Sequence, residues 1–335
     1  MRKMALDRME VFDSLALDAL QKYGLEQACE AELLQISENV TYLVKNRESG
    51  AREAVLRISR PGYHTLEELR DELKWLKEIK NYTPLIVADA LQGKDGSCVQ
   101  LISSGMTDVA YACVLYEFLE GSPPDENDEE SVVRQFRDLG ETTAYLHNHV
   151  KMWNGARHLN RFTWDYETMI GGNGRWGSWK AAADLTPGTI RLFERTGEVI
   201  KSRLHSYGTG RERFGLIHAD LRLANLLIEG DQIKVIDFDD CGFGWFMHDL
   251  ASAVSFIETK PVTPRLIAAW IEGYCKSGRL DNEDLEEIDT FVMQRRLQLL
   301  AWIASHFDSD PVKSLSKGFT EGTALLAEQY LSKFN

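Results

Sequence analysis

The chain has 335 residues, 44% hydrophobic and 27% charged, which is ample for a real core and long enough that two lobes are expected rather than one. A net charge of −14 argues against nucleic acid or an anionic membrane surface as the main partner. It leaves room for a cationic substrate, although solvated acidic faces give the same balance.

The first 25 residues have acids breaking every apolar run, so they read as neither a signal peptide nor a membrane span. No later stretch approaches the roughly 20 apolar residues needed to cross a bilayer. Five scattered cysteines (Cys29, Cys98, Cys113, Cys241, Cys275) form no CxxC pair. That pattern suits thiols in a reducing compartment, and the expected location is the cytoplasm.

In chain order, residues 8–24 read as an amphipathic helix, followed by candidate strands at 32–36, 40–46 and 53–59. The last two are joined by the turn-rich "RESGAR" as a hairpin. A helix is predicted over 65–80, with Thr65 and Glu68 as a capping box and Leu66, Leu69, Leu73, Leu76 and Ile79 as one apolar stripe. Strand-like runs near 85–91 and 98–103 precede "ACVLYEFLEG" at 112–121. The acidic, Pro-containing "GSPPDENDEE" at 121–130 lacks periodicity and reads as a loop, with the lobe boundary at its front edge. Helical patterns follow at 129–150, 189–206, 247–257, 263–277 and 282–306. Two short strands around "EGDQ" are the exception. The fold class is α+β, with a strand-rich N-terminal lobe and a mainly helical C-terminal lobe.

"LIHADLRLANLLIEGDQIKVIDFDD" at 216–240 sets polar chemistry inside what is otherwise buried strand. His218, Asp220 and Asn225 give H-x-D-x-x-x-x-N, and Asp237 follows twelve residues after Asn225. Phosphoryl transfer from a nucleotide needs metal-binding groups on the phosphates and a carboxylate near the attacking hydroxyl. Asp and Asn are hard oxygen ligands suited to Mg²⁺.

With "HDLA" at 248–251, this segment resembles the signature of the aminoglycoside phosphotransferase and choline kinase family, which has a bilobal protein-kinase-like fold. Within it, the chain is most similar to the type II homoserine kinases and the bacterial stress-response kinases. The resemblance spans residues 30 to 306. It implies that Asp220 is the catalytic Asp, that Asn225 and Asp237 hold Mg²⁺, and that His218 and Asp249 support the catalytic loop. "VLYEFLEG" resembles the family's hinge, here 116–121, where Glu117 and Leu119 would meet the adenine edge; a buried edge strand is compatible with that. The lobes would then be 1–115 and 122–335, with ATP as phosphoryl donor and GTP as a second candidate.

Such kinases need a cation on the third strand and an acid on the following helix. Arg57 in "AVLRI" stands where the family usually has Lys, and Glu72 falls on the apolar face of the 65–80 helix, between Leu76 and Ile79. A carboxylate on a buried face is costly without a partner, and Arg57 is the natural one. Lys45 is a poorer choice, because it sits at the tip of the hairpin. Arg57 is expected across from about Tyr42. The phosphate-covering loop is "SEN" at 37–39, which has no glycine; Ser37 and Asn39 could still donate.

The G-x-G-x-x-G at 172–177 follows no strand and reads as a loop. Around it, "FTWDYETMIGGNGRWGSW" carries three Trp, including Trp164. These could line an acceptor pocket and meet an ammonium group by cation–π contact, or simply pack the core. Asp239 and Asp240 could be substrate contacts or strand-end acids. His147 and His149 point to different sides of a helix, so His147 is expected to pack rather than bind metal. The expected function is transfer of the γ-phosphoryl of ATP to a hydroxyl of a small acceptor, with amine-bearing acceptors among the candidates. A stress-response-type Ser/Thr protein kinase and a non-catalytic nucleotide-binding regulator are the alternatives.

Overall fold

A computed structural model describes residues 2–37, 39–106, 108–125, 128–306 and 310–334. Glu38 of the glycine-free loop, and Glu126 and Asn127 of the acidic loop, lie outside the described residues. The chain forms two compact units, residues 1–122 with 227–236, and residues 123–226 with 237–335.

The first unit opens with α1 (Arg2–Tyr23), then β1 (Cys29–Ile36), β2 (Val40–Asn46) and β3 (Arg52–Ile58). After these come α2 (Leu66–Tyr82), β4 (Ile86–Val87), β5 (Val99–Ile102) and β6 (Tyr111–Glu117). Five strands make an antiparallel sheet in the order β1-β2-β3-β6-β5. Strand side chains alternate between faces. Ala54, Leu56 and Ile58 therefore join Tyr42, Val44 and Leu115 in a core with Leu15, Ala19 and Leu20 of α1. The opposite face presents Val114, which packs with Val99 and Leu69 of α2. That alternation puts Arg57 on the α2 side. It lies opposite Thr41 in the β2–β3 ladder, one residue from the expected Tyr42. The Thr65–Glu68 capping box starts α2 as the sequence predicts, with bonds of 3.1 and 2.7 Å.

The second unit runs through α3 (Glu129–Met152), β7 (Thr163–Trp164), α4 (Tyr166–Met169), α5 (Pro187–Tyr207) and β8 (Phe214–Ile217). A hairpin of β9 (Leu226–Glu229) and β10 (Gln232–Val235) belongs mostly to the first unit, where β10 pairs with β4 in parallel. Buried Lys234 secures it by donating to Glu229 and to the Glu120 carbonyl, each at 2.7 Å. The second unit resumes with β11 (Gly242–Trp245), α6 (Met247–Ala253) and α7 (Thr263–Ser277). It ends with α8 (Asn282–Glu286), α9 (Ile288–Ser305), α10 (Asp310–Ser316) and α11 (Phe319–Phe334). Here β11 joins β7 and β8 in a small sheet.

Several features depart from the sequence reading: the helix expected over 247–257 ends at Ala253, and the small sheet of β7, β8 and β11 has no counterpart in it. The helix expected over 282–306 is broken at Glu287, whose carboxylate takes two bonds from Arg203 and one from Thr290. Beyond it, α11 buries Ala327, Tyr330 and Leu331 and packs on α5 and α9. Among the described residues no helix is long and apolar enough to cross a membrane.

α3 and α7 pack face to face through paired glycines. A Cβ on Gly273 would sit 1.7 Å from the Arg137 carbonyl oxygen, and one on Gly140 would sit 2.0 Å from that of Trp270. Backbone cannot rotate away as a side chain can. Gly273→Ala is therefore expected to cost about 3 kcal/mol, the upper part of the overpacking range. Urea denaturation of wild type and variant checks this; an unchanged midpoint would contradict the packing.

Candidate active site

The loop after β8 is shaped by one carboxylate. Asp249, in the first turn of α6, has no exposed surface. Its Oδ1 accepts the Ala219 amide at 2.7 Å, and its Oδ2 accepts the His218 amide at 3.2 Å. His147 Nε2 lies 3.0 Å from Oδ2, and His147 Nδ1 lies 3.1 Å from the Tyr274 hydroxyl. Burial opposes charge on Asp249, but the His147 hydrogen bond and the neighbouring imidazoles outweigh it and hold the carboxyl below its usual range. Burial pushes the His147 imidazole down, although Asp249 opposes this. His147 packs as expected, and in addition it braces Asp249.

With both amides committed, Ala219 adopts φ 66°, a left-handed conformation costing an L-residue roughly 1–2 kcal/mol. Ser252 holds the turn from the other side, its hydroxyl donating to the Ala219 carbonyl at 2.8 Å. Asp220 comes next and is 19% exposed at its side chain. The chain then turns through a short 3₁₀ segment, Leu223–Asn225. Asn225 Nδ2 donates to the Asp220 carbonyl at 2.8 Å and to Asp220 Oδ2 at 2.9 Å.

Two guanidinium groups meet the same carboxylate. Arg295 of α9, 2% exposed, donates from Nη2 to Oδ1 at 2.8 Å. Arg222 Nε lies 3.2 Å from Oδ1 and 3.3 Å from Oδ2. Burial alone would raise the Asp220 pKa. Arg222, Arg295 and His218, with the Asn225 bond, more than compensate and bring it below the ordinary carboxylate value. The His218 ring is buried against Phe238, with centroids 4.5 Å apart.

The donor set fits a hard divalent cation. Asn225 spends its N–H groups on Asp220, and its amide oxygen is a hard donor. Asp237, after β10, is exposed and held at φ 63°. Two oxygen donors suit Mg²⁺, which completes its shell with phosphate oxygens and water. No group of three or more His, Cys, Asp or Glu side chains able to hold a metal occurs among the described residues.

Other candidates in this unit are more firmly packed. Asp239 is buried, and its main-chain carbonyl accepts Arg161 Nη2 at 2.6 Å. The carbonyl of Asp240 accepts the Trp164 indole N–H at 2.8 Å. Trp164 itself is 1% exposed and meets Trp176 edge-on, so it is packed rather than presented. The G-x-G-x-x-G at 172–177 is a loop between α4 and a 3₁₀ turn at Trp179–Ala181.

In the first unit, Arg57 Nη2 and Glu72 Oε2 form a buried ion pair at 2.8 Å, and the Tyr116 hydroxyl donates to Glu72 Oε1 at 3.0 Å. Lys45 is tied to Glu32 on the neighbouring strand. Ser37 is exposed, and its amide donates to the Asn39 carbonyl at 2.9 Å. The Asn39 side chain is buried and caps the Arg60 amide at 3.2 Å. Glu117, at the end of β6, accepts the Asp89 amide at 3.0 Å, while Leu119 is half-buried in the segment that follows.

The model of a family described as "Phosphotransferase enzyme family" matches residues 32–291. The chain belongs to this family. Its structure superposes on that of a microcompartment-associated aminopropanol kinase with a TM-score of 0.86 and 37% identity, covering 95% of this chain and 97% of the other. Amicoumacin kinase of Bacillus subtilis (strain 168) is 22% identical over 321 residues, 92% of this chain and 90% of that protein. The fold also matches the amicoumacin kinase hAmiN, whose structure holds AMP-PNP, Ca²⁺ and Ami. That likeness has a TM-score of 0.71 and 21% identity, covering 88% of this chain and 87% of the other. The bilobal protein-kinase-like α+β fold expected from the sequence is the fold of this phosphotransferase.

Sequence reasoning missed Arg222 and Arg295. The signal for Arg295 was present, because α9 is apolar around most of its circumference and a cation there needs a partner.

Because the folded-state pKa of Asp249 is depressed, its contribution to stability is full above the unfolded value of about 3.9 and is lost as pH falls through the folded value. Asp249→Asn turns an N–H₂ toward one of the two loop amides and should cost about 3 kcal/mol at pH 7. The difference should narrow only below about pH 4. Denaturant titrations at both pH values test this, and a pH-independent cost would argue for lost packing instead.

Proposed function

We propose that this phosphotransferase carries the γ-phosphoryl group of ATP to the hydroxyl of a small amino alcohol, with Mg²⁺ as the metal. The observation that carries this reading is the Asp220–Asn225 pair. The Asn225 amide nitrogen donates to both the main-chain carbonyl and the carboxylate of Asp220, and the Asn225 oxygen would then meet the cation. Likeness to an aminopropanol kinase over nearly the whole chain supports the acceptor class.

Asp220 accepts the hydrogen bond of the incoming hydroxyl and orients its oxygen. Charged and flanked by cations, it is a weak base. That suits a loose transition state, in which little covalent help is required from the protein. Asn225 and Asp237 would hold the cation, which when bound neutralises charge on the phosphates. Asp249 and His218 keep the loop in place.

Arg57 would steady the phosphates, with Glu72 orienting its planar guanidinium. Glu117 and Leu119 would offer main-chain groups to the adenine edge. Ser37 would cover the phosphates together with the backbone of Asn39, whose side chain is engaged by Arg60. Asp239 and Asp240 would be the acids for an ammonium group. The five free cysteines fit a reducing, cytoplasmic setting.

The test is ADP release and product mass with ATP, Mg²⁺ and a panel of aminopropanol, ethanolamine, choline, amicoumacin and spectinomycin. Aminopropanol should give the highest kcat/KM. Asp220→Asn should lower turnover per folded molecule by about 10³-fold. Release of ADP independent of every acceptor, or near-wild-type turnover in the variant, would overturn the reading.

A further inference from the structure

We propose that Arg295, which lies 75 residues beyond Asp220 in sequence, is a positioning residue that fixes the Asp220 carboxylate for the acceptor hydroxyl; this rests on the function proposed above. The contacts of the carboxylate divide into two kinds. Oδ1 takes a 2.8 Å bond from Arg295 and Oδ2 takes a 2.9 Å bond from Asn225, both from buried side chains. Arg222, 31% exposed, straddles the two oxygens at 3.2 and 3.3 Å. A carboxylate offers about four lone-pair sites, so the two short bonds leave one site on each oxygen. The long, shared contact from a half-buried side chain is the one an incoming hydroxyl can replace. The short bonds are the frame.

The frame is itself anchored. Arg295 Nε donates to Ser255 Oγ at 3.1 Å, and its Nη1 donates to Gln298 Oε1 at 3.2 Å. The guanidinium carbon sits 5.0 Å from the centre of the Trp176 ring. Acceptors on three sides and a ring on one face hold a planar fork, which a flexible ammonium would not reproduce. A buried arginine of this kind costs desolvation, and one partner alone seldom repays it. Arg296, the next residue, shows what a structural pair on the same helix looks like. Its hydrogen bonds among the described residues go to Glu258 at 2.6 Å, Thr323 at 2.9 Å and the Phe319 carbonyl at 3.1 Å, and none goes to the loop.

The experiment compares Arg295→Met, Arg295→Lys and Arg296→Met in the full chain. Arg295→Met should lower kcat about 100-fold, the scale of a small misplacement in a reacting group. Nucleotide KM should stay near wild type, and Arg295→Lys should recover part of the kcat loss. Arg296→Met should lower the melting temperature and leave kcat per folded molecule near wild type. Coupling of glycinamide to Asp220 by a water-soluble carbodiimide, read by peptide mass spectrometry, reports the freedom of the carboxylate without any turnover. Labelling should rise in Arg295→Met and not in Arg296→Met.

Wild-type kcat in Arg295→Met, or equal Asp220 labelling in wild type and both variants, would overturn the proposal. A wild-type protein that phosphorylates no acceptor would overturn the proposed function, and the labelling would still decide the role of Arg295.

Discussion

The second unit is organised around the buried carboxylate of Asp249. An ion with no exposed surface is tolerated only when its lone pairs are filled, and here two backbone amides and an imidazole fill them. That requirement bends the chain at Ala219 into a conformation it would not otherwise adopt, and the bend aims Asp220. The supports continue outward. His147 belongs to α3, and Tyr274, which meets its other nitrogen, belongs to α7. Gly140 lies two helical turns before His147, and Gly273 immediately precedes Tyr274. The glycines that let the two helices touch therefore also bring the imidazole and phenol within hydrogen-bond reach. Packing between helices sets the geometry of a loop that neither helix contains.

The first unit solves the same problem of a buried charge with a different pair. Strand alternation sends Arg57 to the α2 face, where Glu72 is 1% exposed at its side chain. Neither ion would be stable there alone. Tyr116 takes the second carboxylate oxygen and lies under the guanidinium, 5.3 Å from it. The pair is thus held from β3, β6 and α2 together, which makes its position a property of the whole sheet and not of one side chain.

What the sequence made legible follows from distance along the chain. His218, Asp220, Asn225, Asp237 and Asp249 lie within 32 residues, so their pattern is visible without a fold. Arg57 and Glu72 are 15 apart, and helical periodicity was enough to show that Glu72 needed a buried partner. Arg295 was not singled out because its partner lies 75 residues away, and Gln294, Arg296 and Gln298 beside it give no local sign of which side chain meets the loop. All four are buried, since α9 is packed by α5, α6 and α11 on different sides. The break at Glu287 was hidden for a related reason. Its cause is Arg203, 84 residues away, and local propensity has no access to it.

The electrostatics of Asp220 bear on how such a site works. Placing two arginines on the carboxylate lowers its basicity, which would be self-defeating if its task were to remove a proton early. On the proposed reaction the task differs. In a loose transition state the hydroxyl proton is still largely in place when the phosphoryl group moves, and alignment of the oxygen matters more than base strength. A rigid anion whose long contact to Arg222 can give way to the hydroxyl provides that alignment, and a free aspartate with a higher pKa would not. The cost of burying Arg295 is then understandable as the cost of rigidity. The same frame leaves acceptor identity to residues outside it, because the short bonds of Arg295 and Asn225 are directed at the Asp220 carboxylate.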